Sequence, residues 1–228
     1  VSGSRVVHRH DVTDEHNYTV SPTVMNSNAD DSPVRCLDKN SEKEMVSVID
    51  KAKKAGDSVG GIFEVIATGV PYGLGSYSQW NNKLQARIST MMMSINAFKG
   101  IEIGTGFKSA TKFGSQVHDE IGYENGKFTR YSNNAGGIEG GMSNAQPIVI
   151  WMSMKPISTL IKPLRSVDIA THEKKNAHKE RTDSCAVPAA SVVSESMLCI
   201  TLLDALLEKF GGDSVNQLKS HMNSSAKY

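Results

Sequence analysis

Two short segments carry residue types that grip an anion. KPIST, residues 155–159, offers the Lys155 ammonium, the Ser158 and Thr159 hydroxyls and main-chain N–H groups around Pro156 and Ile157. That set suits a phosphate or carboxylate. ERTDSC, residues 180–185, adds Arg181, whose guanidinium can take such a group in a two-pronged fork, and Asp183, a candidate base. KPIST follows a strand, and ERTDSC precedes the N-terminus of a helix, whose dipole favours negative charge. Each segment also has a plainer use, as a solvated lysine on a turn and as a capping aspartate beside a surface arginine.

A third segment, NNAGGIEGGMS at 133–143, places glycines at 136, 137, 140 and 141. Glycine takes positive φ freely and lets another group touch the backbone, but ordering it costs entropy, so such a cluster needs a reason. No Lys-Ser/Thr follows it, as in a P-loop, and its spacing is not the G-x-G-x-x-G of a dinucleotide fold. A tight bend and a ligand-facing cradle both remain open.

Other chemistries find less support. HRHDVTDEH gathers His8, His10, His16, Asp11 and Asp14 without the partner spacing of a metal site, so a solvated loop and no metal is expected. No Gly-x-Ser-x-Gly elbow and no Cys/His nucleophile pair stands out. Cys36, Cys185 and Cys199 are odd in number and lack Cys-x-x-Cys spacing, which predicts free thiols in a reducing, cytoplasmic compartment. With 25 basic and 24 acidic residues the net charge is +1, which gives no global field for nucleic acid or an anionic membrane. The apolar runs at 148–154 and 197–207 fall short of a bilayer span, so a soluble protein is expected. The first residue is Val1 rather than Met, which reads as a fragment or processed product.

The elements that must position these segments are legible in outline. A β-like run at Arg5 to Val7 is followed by polar, loop-like sequence. Ser41 and Glu44 form a capping-box pair that starts a helix with Met45, Val48, Ile49 and Ala52 on one face and Gly56 as its stop. Gly60-Gly61 leads into a strand from Ile62 to Thr68. Asn81 or Asn82 caps a second helix carrying Leu84, Ile88, Met91 or Met92 and Ile95, with the methionines in the core, and Ile101 and Ile103 alternate as in a strand. Asn125-Gly126 marks a hairpin, and Ile148 to Met154 a sheet strand stopped by Pro156. After a charged, loop-like stretch through Lys179, a long helix runs from about Ala189 to Phe210, with Pro188 near its first turn and Gly211-Gly212 at its end. Residues 213–228 look frayed, and a single domain over 1–228 is expected.

Read together, GVPYGLGSYSQWNNKL, MMMSINAFKGIEIGTGF, GSQVHDEI, NNAGGIEGGMSNAQPIVI, MKPISTL and RTDSCAVPAASVVSESM follow one another in an order and at spacings that resemble chorismate synthase, particularly the Gram-positive type, over about residues 40–212. The resemblance implies an α+β fold, the family's β-α-β sandwich, and a homotetramer. It implies elimination of phosphate from 5-enolpyruvylshikimate 3-phosphate to give chorismate, a lyase reaction that requires reduced FMN without net redox change. Carried over by motif, Asn96 and Ala97 of SINAFKG, Gly140, Lys155, Pro156, Ile157, Ser158, Thr159 and Arg181 resemble the FMN-contacting positions. Asp183 resembles the aspartate that handles the proton at flavin N5.

Some members reduce their own FMN with a nicotinamide cofactor, which makes NADPH a candidate reductant that no motif here decides. The family's N-terminal portion, with two active-site histidines and several arginines, has no match, so the chain reads as the C-terminal two-thirds and is expected to bind FMN weakly and not to turn over alone. His8 and His10 lie outside the matching motifs and take no catalytic role. The competing reading is a non-catalytic binding or assembly module that keeps the fold.

Overall fold

The computed structural model describes residues 22–180 and 183–225, and it divides into two compact units. The run at Arg5 to Val7 and the histidines at 8, 10 and 16 lie outside the described residues.

The first unit comprises the described residues up to Phe63 together with Ser153–Ser191. It opens with α1 (Pro22–Asp30), in a stretch whose Ser, Asn and Asp content reads as loop. Proline at the first helical position has no N–H to satisfy and its φ is already helical, which is why a helix begins there. In α2 (Lys39–Ala55) the cap is Asp38 rather than Ser41: the Asp38 carboxylate accepts from Ser41 N–H at 2.7 Å, and Ser41 is buried inside the first turn. The expected face holds, since Met45, Val48, Ile49 and Ala52 are all half-buried among exposed polar neighbours. Gly56 closes the helix at φ 69°. The charged stretch before Lys179, expected as loop, contains an antiparallel pair, β8 (Arg165–Val167) with β9 (Lys174–Asn176). All six residues are exposed, so no apolar alternation marks them.

The second unit comprises Glu64–Met152 and the described residues from Val192 onward. Strands β1 (Gly61–Ala67, in this unit from Glu64), β2 (Phe98–Ile103) and β7 (Ile148–Met154, in this unit to Met152) form a sheet of order β1-β7-β2. The central place of β7 explains its burial: Ile148, Val149 and Ile150 are covered in succession, so both faces of that end are packed. Helix α3 (Leu84–Met93) buries Leu84, Ile88 and Met92 completely; of the methionine run expected in the core, Met92 is buried, Met91 half-buried and Met93 exposed, because three successive residues cannot share one helix face. Neither Asn81 nor Asn82 caps it; they form a 3-10 turn, and the cap position is Lys83, which makes no side-chain capping bond.

Asn125 and Gly126, at φ 52° and 77°, join β3 (Ile121–Glu124) to β4 (Lys127–Arg130) in the expected hairpin. The glycine segment makes a second hairpin, β5 (Ile138–Glu139) with β6 (Met142–Ser143).

Helix α4 (Val187–Phe210) ends at Gly211 and Gly212, both at positive φ. By length and composition it is apolar enough to cross a bilayer, which the shorter run at 197–207 did not show. One side of it packs against protein: Ser194, Leu198, Thr201 and Ala205 form a buried stripe, and Arg87 of α3 pairs with Asp204 at 2.7 Å and with Glu208. The segment expected to fray carries α5 (Val215–Ser224), capped by Ser214, whose hydroxyl accepts from Gln217 N–H. His221 Nδ1 lies 2.7 Å from the carbonyl of Phe210, which ties α5 back to the end of α4. Val215, Leu218 and Met222 supply a short helical spacing that the polar residues around them hide.

Candidate functional site

In the first unit, β7 ends at Met154 and the chain continues as the irregular segment 155–159. Lys155 and Ser158 are exposed, and Ile157 and Thr159 half-buried. Among the described residues, the Lys155 Nζ reaches only its neighbour's carbonyl, Pro156 O, at 3.4 Å, which leaves the ammonium available to a ligand. Among the described residues, the main-chain N–H groups of Ile157, Ser158 and Thr159 have no hydrogen-bond partner. Successive open amides beside an ammonium are what an anion needs.

This segment is held by a strap between α2 and β1 that the sequence reading passed over. Ser58, itself buried, donates its hydroxyl to Ile157 O at 2.6 Å. Two residues on, Gly60 faces the start of the segment: a Cβ there would stand 2.2 Å from Met154 O and 2.9 Å from Pro156 N, so only glycine permits the approach. Between them, Val59 N–H donates to Ser184 O at 2.8 Å. The strap thus brings the 155–159 segment and the Asp183-Ser184 segment to adjacent residues of one chain. Asp183 is exposed and lies four positions before α4, and Arg181 lies outside the described residues.

Asn96, Ala97 and Gly140 belong to the second unit. Asn96 and Ala97 are the middle of a turn from α3 to β2, closed by Phe98 N–H to Ile95 O at 3.3 Å. Ala97 stands at φ 71°, in the third turn position where a type II turn asks for glycine. An alanine held there stores strain of about 1–2 kcal/mol, of the kind that gathers at functional positions.

The glycine cluster divides cleanly. A Cβ on Gly136 would meet Gly104 N at 2.3 Å, one on Gly137 Pro147 O at 2.5 Å, and one on Gly141 Ser76 O at 2.4 Å, so these three serve packing of the chain against itself. Gly140, at φ 60° on the exposed tip of the β5–β6 turn, would meet nothing within 4 Å. Of the four, it alone is open to an outside group.

Side chains before and within this loop pin it. Asp119 receives the Ser132 hydroxyl at 2.5 Å and the Asn134 N–H at 2.7 Å on one carboxylate oxygen, and the Ala135 N–H at 2.9 Å on the other. Partial burial alone would raise this carboxyl's pKa, but the Ser132 hydroxyl and the Ala135 and Asn134 amides together hold it below the usual carboxylate range. Buried Asn133 donates to Pro147 O at 2.8 Å and accepts from Gly137 N–H at 2.9 Å. Ser143, buried after the turn, donates to Pro71 O at 2.6 Å and accepts from Leu74 N–H at 2.8 Å. Ser58, Gly60 and Asp119 were all missed as site-building residues. The available signals were the second glycine pair, Gly60-Gly61, and the aspartate of GSQVHDEI.

A mixed helix-and-sheet protein with a pinned glycine hairpin and an open run of amides after a sheet strand is the class that these features define. The family model described as chorismate synthase matches residues 5–207, a longer stretch than the motifs at 40–212 marked at the N-terminal side, and the chain belongs to the chorismate synthase family. It is 56% identical over 192 residues to the chorismate synthase of Aquifex aeolicus, covering 84% of this chain and 48% of that protein. It is 58% identical over 193 residues to that of Listeria welshimeri, covering 84% and 50%. A crystal structure of chorismate synthase superposes with a TM-score of 0.73 at 45% identity, covering 87% of this chain and 52% of that one, which bears out the α+β fold class. The chain spans about half the length of the curated relatives it matches, a smaller share than the two-thirds expected.

Proposed function

We propose that this chain is part of an FMN-dependent chorismate synthase, a cytoplasmic homotetramer that eliminates phosphate from 5-enolpyruvylshikimate 3-phosphate. The observation that carries the reading is the segment 155–159, whose exposed Lys155 and open Ile157, Ser158 and Thr159 amides fit an anionic ligand. Both the flavin and the substrate carry phosphate, so the residue types match the chemistry.

On this reading Lys155 to Thr159 hold the FMN phosphate end, and Gly140 and the Asn96-Ala97 turn offer main chain that a flat ring can approach. Arg181 supplies a second cation. What the reduced flavin supplies when bound is electron density to the substrate as phosphate departs. Asp183 accepts and returns the proton at N5, which requires its carboxylate within hydrogen-bond reach of that atom. The lysine and arginine also offset charge on the leaving phosphate. NADPH would be the candidate reductant for that flavin.

The test is binding. FMN and 5-enolpyruvylshikimate 3-phosphate added together to the purified chain are expected to give a flavin difference spectrum, weakened about tenfold in apparent affinity by Lys155→Ala, the loss of one charge-assisted contact. No spectral change at saturating flavin, or an unchanged affinity in the variant, would overturn the assignment.

A further inference from the structure

Three contacts converge on Ser58, Val59 and Gly60 that the helix and strand on either side do not require. The Ser58 hydroxyl engages Ile157 O at 2.6 Å, the Val59 N–H engages Ser184 O at 2.8 Å, and Gly60 permits main-chain approach to Met154 and Pro156. We propose that Ser58–Gly60 is a positioning strut that fixes the spacing between the anion-holding segment 155–159 and the Asp183-Ser184 segment. The inference rests on the FMN reading above, but assigns a role to residues that the motifs leave out.

The physical argument is one of preorganisation. Irregular segments pay conformational entropy to adopt a single geometry, and a ligand that has to order them binds more weakly by that amount. Ser58 occupies the one carbonyl in the middle of 155–159, so the peptide planes there are fixed while the neighbouring N–H groups stay open. The bond is short and its hydroxyl is buried, so water competes with it poorly. Val59 then carries the same constraint to Ser184, next to the proposed proton-handling Asp183. A shift at either end would misplace the lysine and the aspartate relative to each other, and small misplacements are costly where two groups must meet one ligand. Ser58 and Gly60 touch no ligand on this account; they act through Ile157, Pro156 and Ser184.

The experiment is an FMN titration of the 228-residue chain, followed by amide NMR at Ile157, Ser158 and Thr159, with inorganic phosphate as a parallel probe. Flavin is expected to shift these amides in the wild-type chain. Ser58→Ala should weaken that binding about tenfold and abolish hydrogen-exchange protection at Val59 while leaving the thermal midpoint within a few degrees. Ser58→Thr, which keeps the hydroxyl, should restore both. As a second variant, Gly60→Ala presses a methyl on Met154 O and should displace the same amide signals before any ligand is added.

Wild-type affinity in Ser58→Ala, failure of Ser58→Thr to restore it, or unmoved signals in Gly60→Ala overturn the strut and leave the FMN reading standing. Wild-type amides that ignore FMN overturn the FMN reading itself, and the strut's purpose with it.

Discussion

Asp119 acts through its charge. Three donors close on its two oxygens, and the result is a folded-state pKa below the ordinary carboxylate value. The sign follows from linkage: a depressed folded pKa contributes stability that is fully present above the unfolded value of about 3.9 and is lost as pH falls through the lower, folded one. Urea unfolding of the wild-type chain should therefore show stability falling between about pH 5 and pH 2, with part of that slope missing in Asp119→Asn. An identical slope in the two proteins would remove Asp119 from the account.

Among elements, the β5–β6 hairpin makes the sharpest contrast. Gly140 and Gly141 share its turn and both have positive φ, yet one faces open space and the other faces Ser76 O. Gly140→Ala meets only the left-handed penalty, about 1–2 kcal/mol. Gly141→Ala adds an overlap with backbone that has no room to retreat, for a total of about 2–5 kcal/mol. Chemical denaturation of the two variants measures the gap, and equal losses would contradict the division of the cluster. If Gly140 also faces flavin, its alanine variant lowers FMN affinity more than its small stability loss accounts for.

For the whole molecule, α4 poses a question of balance. Its buried stripe is small and partly polar, whereas Val193, Ile200, Leu203 and Leu207, spaced along one side, are each close to half exposed. A continuous apolar strip of this kind binds hydrophobic dyes and limits solubility. The double substitution Ile200→Glu with Leu203→Glu should lower dye fluorescence and raise the solubility limit while changing stability by less than about 1 kcal/mol, as expected of exposed positions. A large stability loss would mean that the strip is packed in solution.

Local rules determined much of this protein from the sequence alone: the α2 face and its glycine stop, the Asn125-Gly126 hairpin, Met92 in the core, the β7 strand, the long helix and its double-glycine end. Each depends on residues within a few positions of one another, so its physics is written in the order of the chain. The same rules missed α1 and β8–β9, whose polar surfaces carry no apolar period, and α5, whose short period is hidden among polar residues, and they chose Ser41 over Asp38 as a cap because both are good acceptors one helical turn apart. The six motifs in register carried the family assignment, for the order of many segments is far more specific than any one of them. Only the tertiary structure could separate Gly140 from its three packed neighbours, or place Ser58, Val59 and Gly60 against residues about 100 and 125 positions away. Whether a glycine is bare for a ligand or for its own chain depends on what stands opposite it, and that partner is chosen by the fold.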